Sequence, residues 1–91
     1  MKKLPRNLRH VRSTPVFNED TLPKGLLQNH RTQAGTWGKI VIESGQLEYT
    51  IESNPPEVLR LEAGQIGVIE PEENHRIKPL GQVRFHVEFY K

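Results

Sequence analysis

Four histidines stand at positions 10, 30, 75 and 86 of the 91-residue chain. His10 lies in a basic opening segment and reads as exposed. His30, His75 and His86 fall on expected strands or strand ends, far apart along the sequence. That distribution suits a barrel, in which separate strands each supply one group to a shared cavity. Imidazole nitrogens suit zinc, iron, copper and nickel. His30, His75 and His86 are therefore the candidate ligands of a divalent metal such as zinc, iron or nickel, with Glu88 or a water as a further ligand. The competing reading is that these rings only pack and hydrogen-bond. His86 also depends on strand alternation: if Val83, Phe85, Val87 and Phe89 line the interior, His86 and Glu88 point outward. Trp37, the lone tryptophan, is a candidate wall of the ligand pocket, or else a packed anchor whose indole N–H needs a partner. Lys39 and Arg84 could meet a small oxyanion, or be ordinary surface charges. Glu70, Glu72 and Glu73 read as a solvated turn.

The elements that must position these residues look like strands. Helical periodicity is absent, and apolar residues mostly alternate. The final stretch "QVRFHVEFYK" alternates most cleanly, with Val83, Phe85, Val87 and Phe89 on one face. "KIVIES" and "QLEYTIES" flank Ser44-Gly45, which reads as a tight hairpin turn. Asn54-Pro55-Pro56, Ala63-Gly64, Pro71 to Asn74 and Leu80-Gly81 are further turns. Leu26 to Thr32 and His10 to Phe17 are plausible strands, the second confined by Pro15 to an edge or a bulge. About eight short strands at this spacing predict an all-β sandwich or barrel, best matched by a jelly roll. Closing the barrel would also protect the strand edges of a small domain.

The chain is long enough for a single domain, over residues 1–91. Only 34% of it is hydrophobic, so its core must be small. Cysteine is absent, which excludes disulfides and thiolate metal sites. No stretch is long and apolar enough to span a membrane, and no secretory leader stands at the start, so a cytoplasmic location is expected. The net charge is +2, with 13 basic and 11 acidic residues. The basic opening "MKKLPRNLRHVR" has no interleaved aromatics, so nucleic acid is not an expected partner.

The stretch "GQIGVIEPEENH" resembles the second motif of the cupin superfamily. Its Gly64-to-His75 spacing matches that motif, while Glu70 and Glu72 stand where the motif has proline and glycine. The resemblance implies a double-stranded β-helix, or jelly-roll, barrel with His75 in a metal-ligand position. The first cupin motif is only partly present: Gly45 can close it, but Gly38 stands where a glutamate is usual. Upstream, His30-Arg31-Thr32 replaces the usual histidine pair. A narrower resemblance covers nearly the whole chain. His30, Thr32, Gly35, Thr36, Trp37, Gly38 and Lys39 in "NHRTQAGTWGK" resemble a stretch of the small cupin-like domain of tellurite-resistance proteins. That domain precedes the tellurite-resistance methyltransferase in some bacteria and also stands alone. This chain has no glycine-rich strand-to-helix turn of the kind that seats S-adenosylmethionine.

These readings lead to a cupin-like module that binds a metal ion or small oxyanion in a stress setting, without demonstrated catalysis. Two alternatives remain. One is a small metal-dependent enzyme of dioxygenase or isomerase type. The other is an interaction module that forms a homodimer through an edge strand or through the alternating face of the last strand.

Overall fold

A computed structural model describes residues 3–27 and 31–91. Among them, six strands form one antiparallel sheet. They are β1 (His10–Ser13), β2 (Phe17–Asn18), β3 (Trp37–Ile51), β4 (Glu57–Glu62), β5 (Ile66–Ile69) and β6 (His75–Tyr90). The only helical element among the described residues is a short 3-10 turn, Lys24–Leu27, where a strand from Leu26 was expected. Residues 28–30, which held the rest of that expected strand and His30, lie outside the described residues.

Two strands dominate. β3 has 15 residues and β6 has 16, paired from Trp37↔Tyr90 at one end to Ile51↔His75 at the other. Ser44-Gly45 and Leu80-Gly81, expected as turns, are bulges instead. The pairing register shifts between Ile42 and Ser44 and again between Gly45 and Leu47. Gly45 and Gly81 adopt φ of 79° and 88°, a left-handed geometry that glycine takes at little cost. A bulge bends its strand and adds twist without ending it. The chain therefore continues through both glycines, and the β3–β6 ribbon folds over itself.

The bulges also set which side chains face inward. On β3 the buried apolar residues are Ile40 and Ile42 before the bulge, then Leu47, Tyr49 and Ile51 after it, so the parity switches. On β6 the extra residues preserve it: His75 and Ile77 are buried, and so are Val83, Phe85 and Val87. β5 pairs with the first half of β3 and β4 with the second, on the edge away from β6. β1 and β2 pair with the last part of β6. Pro15 separates β1 from β2, as its missing N–H requires. Thr14 covers the gap: its backbone N–H donates to the Val87 carbonyl at 2.9 Å, and its hydroxyl accepts from the Val87 N–H at 3.0 Å.

The core lies inside the bend. Tyr49 and Phe85 are its largest fully buried side chains. The Tyr49 hydroxyl donates to the carbonyl of Val68 at 3.1 Å, tying the second half of β3 to β5. Burial, with the charges of Glu73, Glu57 and Glu70 adding to it, pushes the Tyr49 phenol well above its ordinary range. Phe85 packs tilted against Phe17, with ring centroids 5.7 Å apart.

Two expectations are corrected here. The fold is all-β, but the sheet is open rather than a closed barrel: β1 and β4 end the strand order without pairing to each other. Among the described residues the strands number six: glycine bulges join two pairs of neighbours that turns would have separated, the expected strand from His10 to Phe17 divides into β1 and β2, and the stretch from Leu26 contributes no strand. On the apolar face of β6, Val83, Phe85 and Val87 are each 5% exposed or less, while Phe89 is only partly buried.

Candidate functional site

The two stretches singled out by motif spacing meet in the structure. The segment after residue 30 packs on the turn before β6. Thr32 is buried, and its hydroxyl donates to the Thr36 carbonyl at 2.8 Å, with the Glu70 carbonyl at 3.5 Å. The Glu72 N–H donates to the Thr32 carbonyl at 3.2 Å. Glu72 has φ of 63°, the one left-handed non-glycine among the described residues, and it turns this N–H toward Thr32. The acidic turn is thus a backbone dock, with the Glu72 side chain exposed.

His75 opens β6 immediately after that dock and is 2% exposed. Its Nδ1 donates to the Glu73 carbonyl at 3.0 Å, because a carbonyl can only accept. Its ring stands edge-on to Tyr49, with centroids 5.9 Å apart. These contacts fix the ring's orientation. His75 borders a cavity of about 240 Å³. Phe17, Leu26, Ile69, Val87 and Phe89 form apolar walls, while Arg12, Thr14, Thr32 and His75 supply the polar groups.

The other candidate residues lie elsewhere. His30 is outside the described residues. Trp37, at the start of β3, alternates with the inward Gly38 and Ile40 and pairs with Tyr90. It does not border the cavity. His86 sits on the outer face of β6, opposite His75, because the inward positions there are Val83, Phe85 and Val87. Its two ring nitrogens lie 2.9 Å from Glu88 and 3.6 Å from Glu43. Among the described residues no three histidine or carboxylate side chains are grouped to hold a metal ion.

Glu88 organises that outer face. Its carboxylate accepts from the Tyr90 hydroxyl at 2.6 Å, from His86 at 2.9 Å, and pairs with Lys39 at 3.3 Å. Lys39, an oxyanion candidate from the sequence, is therefore already paired with a carboxylate, and Arg84 is exposed. The Tyr90 and His86 hydrogen bonds, with help from Lys39, lower the Glu88 pKa from an ordinary 4.5 to about 2. A depressed folded-state pKa adds stability that is present above the unfolded value. Here that stability is lost as pH falls from about 4.5 through about 2. The stability gap between the native protein and Glu88→Gln should accordingly shrink over this window in urea titrations. A gap that stays constant with pH would rule the linkage out.

Sequence reasoning missed Arg12. It lay in the basic opening, which gave no candidate site residue. Pairing of β1 with β6 sets Arg12 opposite Phe89, and its guanidinium lies 4.5 Å from the centre of that ring, at the cavity. No local signal marks it, because the partner lies at the far end of the chain.

A family model described as the TehB-like domain matches residues 12–87. The chain is 30% identical over 99 residues to the uncharacterized protein YeaR of Escherichia coli K12, covering 99% of this chain and 83% of that protein. It is 33% identical over 70 residues to the probable S-adenosyl-L-methionine-dependent methyltransferase TehB of Haemophilus influenzae. That match covers 72% of this chain and 24% of the methyltransferase. Solved structures agree. A crystal structure of an E. coli K12 protein superposes with a TM-score of 0.91 at 30% identity, over 100% of this chain and 97% of that one. The crystal structure of TehB from H. influenzae gives 0.84 at 26% identity, over 93% and 32%. The chain belongs to the TehB-like domain family, the tellurite-resistance family that the stretch from His30 to Lys39 resembles.

Proposed function

We propose that this domain is a cupin-like ligand-binding module that holds a small molecule inside the bend of its sheet. One observation carries the reading: the cavity of about 240 Å³ lies where the Thr32 segment and His75 meet. Ligand sites are typically concave and mostly apolar, with a few convergent polar groups. The bent β3–β6 ribbon encloses this space as a jelly roll would, with one side left open for entry. The methyltransferase name belongs to a relative of which this chain covers 24%, so no methyl transfer is assigned to it. A role accessory to a stress response fits a ligand-binding module of this family. The test uses a neutral apolar probe. Benzyl alcohol titrated into ¹⁵N-labelled protein should shift the amides of Ile69, Ile77 and Val87. Shifts confined to exposed loops would sink the reading.

A second reading is a divalent metal held by His75 together with His30. The specific observation in its favour is the dock between Thr32 and Glu72, which brings the segment following His30 onto the turn preceding His75. An open catalytic metal site uses about three protein ligands. Of the described residues bordering the cavity, only His75 is of a ligating type, so an enzyme of dioxygenase or isomerase type has less support. Binding stabilises a fold by mass action, by about 2.7 kcal/mol when the ligand is at 100 times its Kd. Saturating zinc or nickel should then raise the melting temperature of the native protein by roughly 10 °C or more. His75→Leu, which keeps the bulk of the ring, should abolish the rise. An equal response in both proteins, or none in either, would rule this reading out.

A further inference from the structure

We infer that the ligand of this cavity is a small organic anion: an apolar body, one ring or a short branched chain, carrying a single carboxylate or phosphonate-type head. The inference rests on the ligand-binding reading above and names the chemistry that the site would recognise.

A second, more polar hollow of about 500 Å³ adjoins the first and shares Arg12, Thr32 and Phe89 with it. Its remaining lining includes Arg31 and Lys91, so its charged side chains are three cations with no carboxylate among them. Of the basic residues outside this hollow, Lys39 lies 3.3 Å from Glu88 and Arg76 lies 2.9 Å from Glu52, each paired with a carboxylate. Among the described residues no carboxylate pairs with Arg12 or Arg31. The Arg12 guanidinium lies over the Phe89 ring, 4.5 Å from its centre. A guanidinium carries N–H donors that can meet a carboxylate or phosphate with two hydrogen bonds. The apolar cavity and the cationic hollow thus meet at Arg12, Thr32 and Phe89.

Each half alone makes a poor site. A bare oxyanion in the inner cavity would lose water among apolar walls, and burying an unpaired charge is strongly unfavourable. The hydroxyls there are already engaged, Thr32 with the Thr36 carbonyl and Thr14 with Pro15 and Val87, and His75 Nδ1 is held by Glu73. A purely apolar ligand would leave the three cations unused. An amphiphilic anion satisfies both halves, with its head at Arg12 and Arg31 and its body among Phe17, Ile69 and Val87. The inner volume of about 240 Å³ limits the body. An apolar cavity of about 150 Å³ holds a benzene, so a single substituted ring fits here.

The experiment compares benzoate, phenylphosphonate, benzyl alcohol and inorganic phosphate by ¹⁵N amide titration, with thermal midpoints as a check on folding. Hydrogen bonds to charged groups contribute about 1.5–3 kcal/mol, so benzoate or phenylphosphonate should bind roughly tenfold or more tighter than benzyl alcohol. The stronger of those two identifies the head. The preference should weaken with added salt and disappear in Arg12→Gln/Arg31→Gln. It should fall partway in Arg31→Gln, a loop variant that leaves the core untouched. Three outcomes overturn the inference while leaving the ligand-binding reading intact: benzyl alcohol matching the anions, an anion preference surviving in the double variant, or inorganic phosphate matching phenylphosphonate. If no probe shifts the cavity amides, both fail.

Discussion

Phe85→Ala is expected to remove about 3–5 kcal/mol of folding stability, the usual cost of truncating a fully buried phenylalanine. Phe85 is 0% exposed, pairs with Ile42 across the ribbon and packs on Phe17. It stands next to the bulge, where the two halves of the bent sheet converge, so neighbouring backbone held by cross-strand hydrogen bonds cannot collapse into the vacated space. A domain of this size has a total stability of roughly 5–13 kcal/mol. The substitution would therefore take a large share of it, lowering the melting temperature by roughly 15–30 °C. His86→Ala, on the outer face of the same strand, is the control and should cost far less. Thermal and urea unfolding followed by circular dichroism reads both. A loss below about 1 kcal/mol for Phe85→Ala would mean that the inward face of β6 is not a packed core.

Gly45→Ala should be the next most damaging change. A methyl group there would overlap the carbonyl oxygen of Gln82 and lie 2.8 Å from the Val83 Cα. Both neighbours are backbone atoms of the paired strand, so relief requires the β3–β6 pairing to part at the bend. The φ of 79° adds a cost of its own, roughly 1–2 kcal/mol for a residue with a Cβ. Together these predict a loss of roughly 3 kcal/mol or more. Gly81→Ala separates the two causes. Gly81 has φ of 88°, yet a Cβ there meets nothing within 4 Å. It should show only the conformational cost, about 1–2 kcal/mol. Equal losses at the two glycines would show that the close approach at Gly45 does not govern the fold.

The sequence alone determined the all-β class, the alternation of the last strand, the restriction that Pro15 places on its strand and the family. Each rests on local chemistry: side-chain alternation, a missing N–H, or a run of specific residues from His30 to Lys39. The spacing from Gly64 to His75 was legible too, because it is a property of the chain. Tertiary structure decided whether a glycine turns or bulges. Gly45 and Gly81 both need a left-handed φ, and a hairpin and a bulge use the same residue for it. Only the long pairing of β3 with β6 selects the bulge, and with it the open sheet and the switch of parity along β3. The same pairing put His86 and Trp37 on the face away from His75, so residues that seemed equivalent by type were separated. It also brought Arg12, near one end of the chain, over Phe89 at the other. No local pattern encodes that contact, because it follows from strand register across the whole domain.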